Sequence, residues 1–492
     1  MVVSNNPTIL KVLDRYKDLW SLSYLSGICQ WDLETYMPQK AANFRGEAMA
    51  RVSTIRQKIF LEKDFVDLIL KLEKEKNLND FEKGVLRVLK RTLDFYQKVP
   101  SSFLEDFEKL TTKATVVWRE AKEKDNFDLF KSDLSKIFDS NRKLADYLGY
   151  KTSPYDALLN EYEDGLTSEE VFSFFETIKE PLKEILLDIT KSKSYKRSHF
   201  LENTAYDSDE MKKLNLKILN DFWGDFDRLR LDISSHPFTI GLSVNDTRIT
   251  TWYHKKDFAR SLLATIHEFG HALYDLQSEP KIEMTPVSGG ASLVIHESQS
   301  RFWENFIGRS GLFIQRYKKD FEKVVKRKLS FSDLYFYFNK VSPSMLRVEA
   351  DEVTYHFHIM LRAEIERDIV EGKLKVKDLK GVWNEKMKSY LGITPKKDSQ
   401  GVLQDIHWSG GSVGYFPTYS LGTFLGAQWE ENIKTMGIKE NDFESIKKYL
   451  RENIHQFGAI YTLKELLLKN KMKFDPMVNI KYLKDKYRRI YN

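Results

Sequence analysis

Along most of the chain apolar residues recur three and four positions apart, as in FVDLILKLEKEKNLNDFEKGVLRVLKRTLDFY, and that period is helical. The same pattern runs through 168–190, 209–231, 312–328, 352–370 and 438–470. Only 12 prolines and 23 glycines punctuate it, which predicts a mostly α fold. One stretch departs from the period. In PFTIGLSVNDTRITTWY (237–253), β-branched and aromatic residues flank the turn-prone Asn245-Asp246, predicting a short hairpin or edge strand. No repeat of solenoid length and no low-complexity linker divides the chain. The simplest organisation is one helical unit over 1–492, or two halves flanking a deep groove, with the chemically dense residues in 236–420.

Residues 258–276, FARSLLATIHEFGHALYDL, form an apolar-periodic helix carrying His267-Glu268-Phe269-Gly270-His271. Histidines four apart share one helix face, at a separation that a single tetrahedral metal bridges. Glu268 is rotated about one hundred degrees from His267, beside the ligand stripe, where it can take a proton from metal-bound water. A second amphipathic helix, GGASLVIHESQSRFWENFIG (289–308), offers Glu297 as third ligand and leaves a fourth position open, the pattern of a catalytic site. His296 competes with Glu297 for the metal, but neighbours on a helix point in different directions, so only one of them faces it. Glu297 is taken as the ligand and His296 as a residue contacting substrate or supporting the site. Asp275, four after His271, could orient a ligand imidazole or be a solvated helix-end acid. His356 and His358, beside Tyr355, are two apart and diverge on a helix, which argues against a second metal site.

Composition narrows the setting. Lys plus Arg total 78 and Asp plus Glu 72, a formal charge of only +6, which gives no reason to propose nucleic acid or an anionic membrane as partner. The lone cysteine, Cys29, excludes an intrachain disulfide and a Cys-type structural zinc site. The N-terminus mixes charges into every turn and no apolar run is long enough to span a bilayer, so a cytoplasmic protein is expected.

Further segments carry a family likeness in chain order: WDLETYMP with Trp31, Asp32, Met37 and Pro38; YDALLNEYEDGLT (155–167); DTRIT with Asp246, Arg248 and Thr250; HESQ at His296–Gln299; RVEAD from Arg347 to Asp351; and GVLQDIHW with Gly401, Gln404, Asp405, His407 and Trp408. Together with the metal motif they resemble the carboxypeptidase Taq family of metallocarboxypeptidases over nearly the full length. The resemblance implies a mostly helical, groove-containing fold similar to neurolysin and angiotensin-converting enzyme, usually dimeric, with zinc or cobalt as the metal. It also implies removal of single residues from peptide C-termini with broad specificity. Trp252 stands where many members carry a basic residue, and His356 where Asn is common, which touches substrate preference and not the metal chemistry.

A free C-terminal carboxylate is best held by a guanidinium fork, and Arg347 and Arg248, both inside family segments, are the candidates. The glycine-rich stretch DIHWSGGSVGYFPTYSLG (405–422) reads as a loop offering His407, Tyr415 and Tyr419 as proton donors to an oxyanion. Similar peptidases of the neurolysin type place a histidine and a tyrosine about a dozen residues apart for this task, which favours His407 with Tyr419. His236, before Pro237, reads as a turn histidine, and Trp31, Asp32, Met37 and Pro38 as packing for the N-terminal helices. Two other functions compete: a metallo-endopeptidase of the neurolysin type, and a non-catalytic helical scaffold in which a metal staples two helices. Glu268 argues against the scaffold, because a purely structural site has no use for a carboxylate beside the water position.

Overall fold

A computed structural model describes residues 4–202 and 204–491. Among the described residues the secondary structure is almost all helix, with one small sheet. Backbone packing divides the chain into two compact units: Met1–Asp94, Phe200–Phe338 and Trp429–Lys473 in the first, Phe95–His199, Asn339–Gln428 and Phe474–Asn492 in the second.

In the first unit the sheet has three strands: β1 (Leu229–Ile233), β2 (Thr239–Ser243) and β3 (Asp246–Thr251), ordered β1-β3-β2. The expected hairpin is the antiparallel β2–β3 pair. β1 adds in parallel to β3, which corrects the reading of 209–231 as one helix: the helix ends at Phe222. LRLDI alternates large apolar with charged residues, a period of two that the preceding helical pattern obscured. The periodic stretch 438–470 is likewise broken, into helices Phe443–Asn453 and Leu463–Lys469.

The helix Phe258–Leu276 starts at the residue where the sequence places it, because the Asp257 side chain accepts from the Arg260 amide and so satisfies an otherwise orphaned donor. Its apolar face buries Phe258, Leu262, Ile266, Phe269 and Leu273. Phe269 meets Trp303 and Phe222, with ring centroids at 5.1 and 5.3 Å, and Phe222 in turn meets Phe443 at 4.7 Å. Helix Leu293–Arg301, capped by Ser292, packs across it and runs into a π-helical turn, Phe302–Ile307.

The crossing of those two helices is closed at Gly270. A Cβ there would lie 2.5 Å from the Gln299 carbonyl oxygen and 2.6 Å from Ser300 Cα, so only glycine lets the backbones approach this closely. Gly270→Ala should therefore force the helices apart, costing about 1–3 kcal/mol by overpacking and displacing whatever Glu297 holds relative to His267 and His271. Thermal unfolding and metal competition against a chelator measure both effects. An unchanged midpoint with unchanged metal affinity would show that the crossing yields.

In the second unit the helix Tyr355–Val370 is buried along most of its length, Glu364, Arg367 and Asp368 being partly exposed, and its interior includes Arg362 and Glu366 as well as His356 and His358. Such groups persist in a core only when paired or hydrogen-bonded. Glu366 accepts from Tyr155 Oη at 2.7 Å, Trp408 Nε1 at 2.7 Å and the Gly414 amide at 3.0 Å, which ties the 407–414 segment to this helix. The segment read as a loop over 405–422 contains a 3₁₀ turn, His407–Gly410, and ends at Pro417, where a helix begins. Proline at a first helical position supplies the reason. Tyr419 therefore sits on a helix and not in a loop.

Candidate metal centre

His267, His271 and Glu297 come together: one potential ligand atom from each lies within 4.8 Å of the others. Glu297 Oε2 is 3.7 Å from His267 Nε2 and 3.6 Å from His271 Nε2. His267 Nδ1 is 2.9 Å from Glu304 Oε2, and an Nδ1–H donated to that carboxylate leaves the Nε2 lone pair facing Glu297. An imidazole lone pair and a carboxylate oxygen aimed at each other repel unless a cation lies between them, so the donor set fits a divalent metal. His271 is held neutral by burial and by its neighbour His267, as a ligand imidazole must be.

Glu304 was not among the residues singled out from sequence, although it lies seven after Glu297 and so two helical turns further along one stripe. Burial opposes its charge, but Arg301, the bond to His267 and Arg309 hold its carboxyl well below the usual range. Arg301 serves both acids, donating from Nε to Glu297 at 2.7 Å and from a terminal nitrogen to Glu304 at 3.1 Å. Asp275, considered for the orienting role, is elsewhere: it lies 4.0 Å from His296 Nε2 and against Gly241 of β2. Burial and Glu283 push its carboxyl up to about 7.

Glu268 is buried beside His267 on the same helix and accepts a 2.7 Å hydrogen bond from Thr239 Oγ1 on β2, whose hydroxyl also lies 2.9 Å from the Glu268 carbonyl oxygen. Burial raises its pKa, the direction a proton acceptor working near neutrality needs. His296 does not join the ligand group. Its ring lies tilted against His271 at 5.6 Å and Tyr274 at 4.7 Å between centroids, and Gly290 presses against its Nε2 so closely that no Cβ would fit. Burial lowers its pKa to about 4, so it is neutral at physiological pH.

These placements give opposite expectations for two adjacent residues. Glu297→Ala should lower metal occupancy, whereas His296→Ala should leave the metal bound and mainly lower turnover. Metal analysis beside rate measurement separates them, and the reverse pattern would exchange their roles.

Arg248, on β3, is paired with Asp246 at 2.9 and 2.8 Å, and its guanidinium lies 4.4 Å from the Trp31 ring centroid. Trp31 also receives Arg230 at 4.9 Å, while Asp32 pairs with Arg45 at 2.7 Å. The N-terminal segment therefore does more than fill space, since it backs the arginines of the sheet. His236 is exposed in its turn, and its carbonyl accepts from Ser234.

In the second unit, His407 Nε2 is 3.2 Å from Tyr419 Oη, and the Tyr415 ring lies tilted 5.3 Å from His407 and edge-on 5.2 Å from Tyr419. Arg347 lies 5.0 Å from the Tyr419 centroid and is almost wholly buried. Burial and Arg347 lower the His407 pKa to about 4, which leaves a neutral imidazole. The residues nominated for substrate and oxyanion contact in this unit thus form one cluster. His356 is buried against Ser420 Oγ at 3.0 Å, and among the described residues no second group of metal-ligating side chains is found.

A model of the family described as Carboxypeptidase Taq (M32) metallopeptidase matches residues 11–487. Thermostable carboxypeptidase 1 of Pyrococcus furiosus is 42% identical, covering 99% of each chain. Carboxypeptidase 1 of Bacillus subtilis is 35% identical over 92% of this chain and 90% of its own. The solved structure of a Pyrococcus furiosus carboxypeptidase superposes with a TM-score of 0.95 at 42% identity, covering 99% of this chain and all of that one.

Proposed function

The chain belongs to the carboxypeptidase Taq family and is a metallocarboxypeptidase, and from that premise we propose which of its residues perform the hydrolysis. His267, His271 and Glu297 hold the metal. A divalent cation held by these residues would supply Lewis acidity for the hydrolysis. Glu268 accepts the proton of that water and passes it to the leaving amine, with Thr239 fixing the carboxylate oxygen that does so. Glu304 holds His267 in the tautomer that offers Nε2. His407 and Tyr419 donate to the developing oxyanion, Tyr415 and His296 line the substrate, and Arg347 with Arg248 takes the terminal carboxylate.

The observation that carries this reading is the convergence of two imidazoles and a carboxylate beside Glu268, a buried glutamate on the same helix as the two histidines. Two nitrogen donors in the set favour zinc, with cobalt as the alternative. The family resemblance supports a homodimer acting on peptides of broad sequence. The single cysteine suits a cytoplasmic setting, and no helix among the described residues is long and apolar enough to cross a membrane. The test is a peptide ladder read by mass spectrometry, using free and amidated C-termini, with and without chelator. Stepwise loss of single C-terminal residues, abolished by chelation and by amidation, is expected. Internal cleavage of the amidated peptide at a comparable rate would overturn it.

A further inference from the structure

Arg347 shares its counter-ion. Asp405 Oδ1 accepts from Arg347 Nε at 3.0 Å and lies 2.9 Å from a terminal guanidinium nitrogen, while Asp405 Oδ2 accepts from Arg362 Nε at 2.7 Å. The second Arg362 contact to Oδ2 is 2.5 Å. One carboxylate therefore serves two buried guanidiniums. Arg362 is fully enclosed, packed 4.6 Å from the Trp383 ring centroid and 5.4 Å from that of Phe416, and it donates to the His358 carbonyl at 2.6 Å.

The neighbours do not remove the surplus. His358 and His407 are kept neutral by burial, and Lys122, which donates to the Gln404 carbonyl at 2.8 Å, adds positive charge on the Asp405 side. Glu366, one turn beyond Arg362, has its oxygens engaged by Tyr155, Trp408 and Gly414, and burial pushes its carboxyl up to about 7. Arg347 is fixed from its own side as well, with its amide donating to Gln404 Oε1 at 2.9 Å and a terminal nitrogen to Tyr355 Oη at 3.2 Å. A buried guanidinium closed by its own carboxylate has little attraction left for a second anion, whereas one whose partner is divided retains it.

We propose that Arg362 is a positioning residue for substrate recognition: by claiming one oxygen of Asp405 it keeps Arg347 oriented yet incompletely neutralised, ready for the terminal carboxylate of a peptide. This rests on the reading of Arg347 as the carboxylate clamp. Without Arg362, both oxygens of Asp405 turn to Arg347 and close it.

The experiment compares the full-length, metal-loaded parent with Arg362→Met, Arg362→Gln and Arg362→Lys on a blocked dipeptide with a free carboxylate and on its amide. The two neutral variants should raise KM about tenfold, a change of one order in carboxylate binding, with kcat within about threefold of the parent. Arg362→Lys, which restores the charge but not the guanidinium fork, should recover part of the lost affinity, with KM below that of either neutral variant. Arg362→Gln keeps a donor for Asp405, so it carries the test if Arg362→Met does not fold. Unchanged KM in a folded neutral variant, a fall in kcat alone, a failure of lysine to rescue, or failure of both neutral variants to fold would each overturn the inference. If the parent itself hydrolyses the amide as well as the acid, the clamp reading fails instead; a parent that discriminates, with KM unmoved in Arg362→Gln, refutes only the role of Arg362.

Discussion

Glu268→Gln is expected to leave the metal in place and to lower turnover by about a thousandfold, within the range for loss of a positioned general base. The amide keeps the shape of the carboxyl and can still accept from Thr239 Oγ1, which lies 2.7 Å away in the parent, so the helix and the ligands are undisturbed. It cannot take a proton from the attacking water. Glu268 is not one of the three converging ligand side chains, which is why occupancy and catalysis should separate in this variant. Metal analysis and hydrolysis rates on the same preparation decide the matter. A metal-loaded Glu268→Gln protein retaining a tenth or so of parental activity would be incompatible with its role as base.

Arg347→Ala should cost on the order of 2–4 kcal/mol of transition-state binding, the range for truncating one partner of a buried charged pair. On free-carboxylate peptides that is a loss of roughly 30- to 1,000-fold in kcat/KM. The surroundings make the variant informative, because Asp405 keeps Arg362 as partner and is not left as an unpaired buried anion. The loss then reports on substrate and not on collapse of the cluster. Amidated peptides, lacking the group the guanidinium forks onto, should be poor substrates of the parent and little affected by the mutation. Equal losses on the acid and the amide would assign Arg347 to the architecture of the protein.

The metal helix was legible because its evidence is local. Four-residue spacing on an apolar-periodic helix places His267 and His271 side by side whatever the rest of the chain does. Glu297 needed only a second amphipathic helix. Glu304 was equally within reach, since a seven-residue step keeps to one stripe, but nothing in the sequence announces the π-helical turn on which it sits. β1 was hidden for a different reason: LRLDI is a period-two pattern only five residues long, set directly after a strong helical one. The Arg347–Asp405–Arg362 arrangement joins residues far apart in the chain, and no periodicity links such distances. The same holds for Thr239 beneath Glu268, where strand and helix meet only in three dimensions.

Arg301 has a consequence for how the enzyme acquires its ion. Because one guanidinium bonds both Glu297 and Glu304, and Arg309 adds a 3.1 Å bond to Glu304, the two acids stay compensated when no cation is present. The two acids therefore do not drive each other apart in the apoprotein. Stripping the ion should act as a reversible toggle on a folded apoprotein, and different divalent ions can be titrated back into one preparation and ranked by the activity each restores.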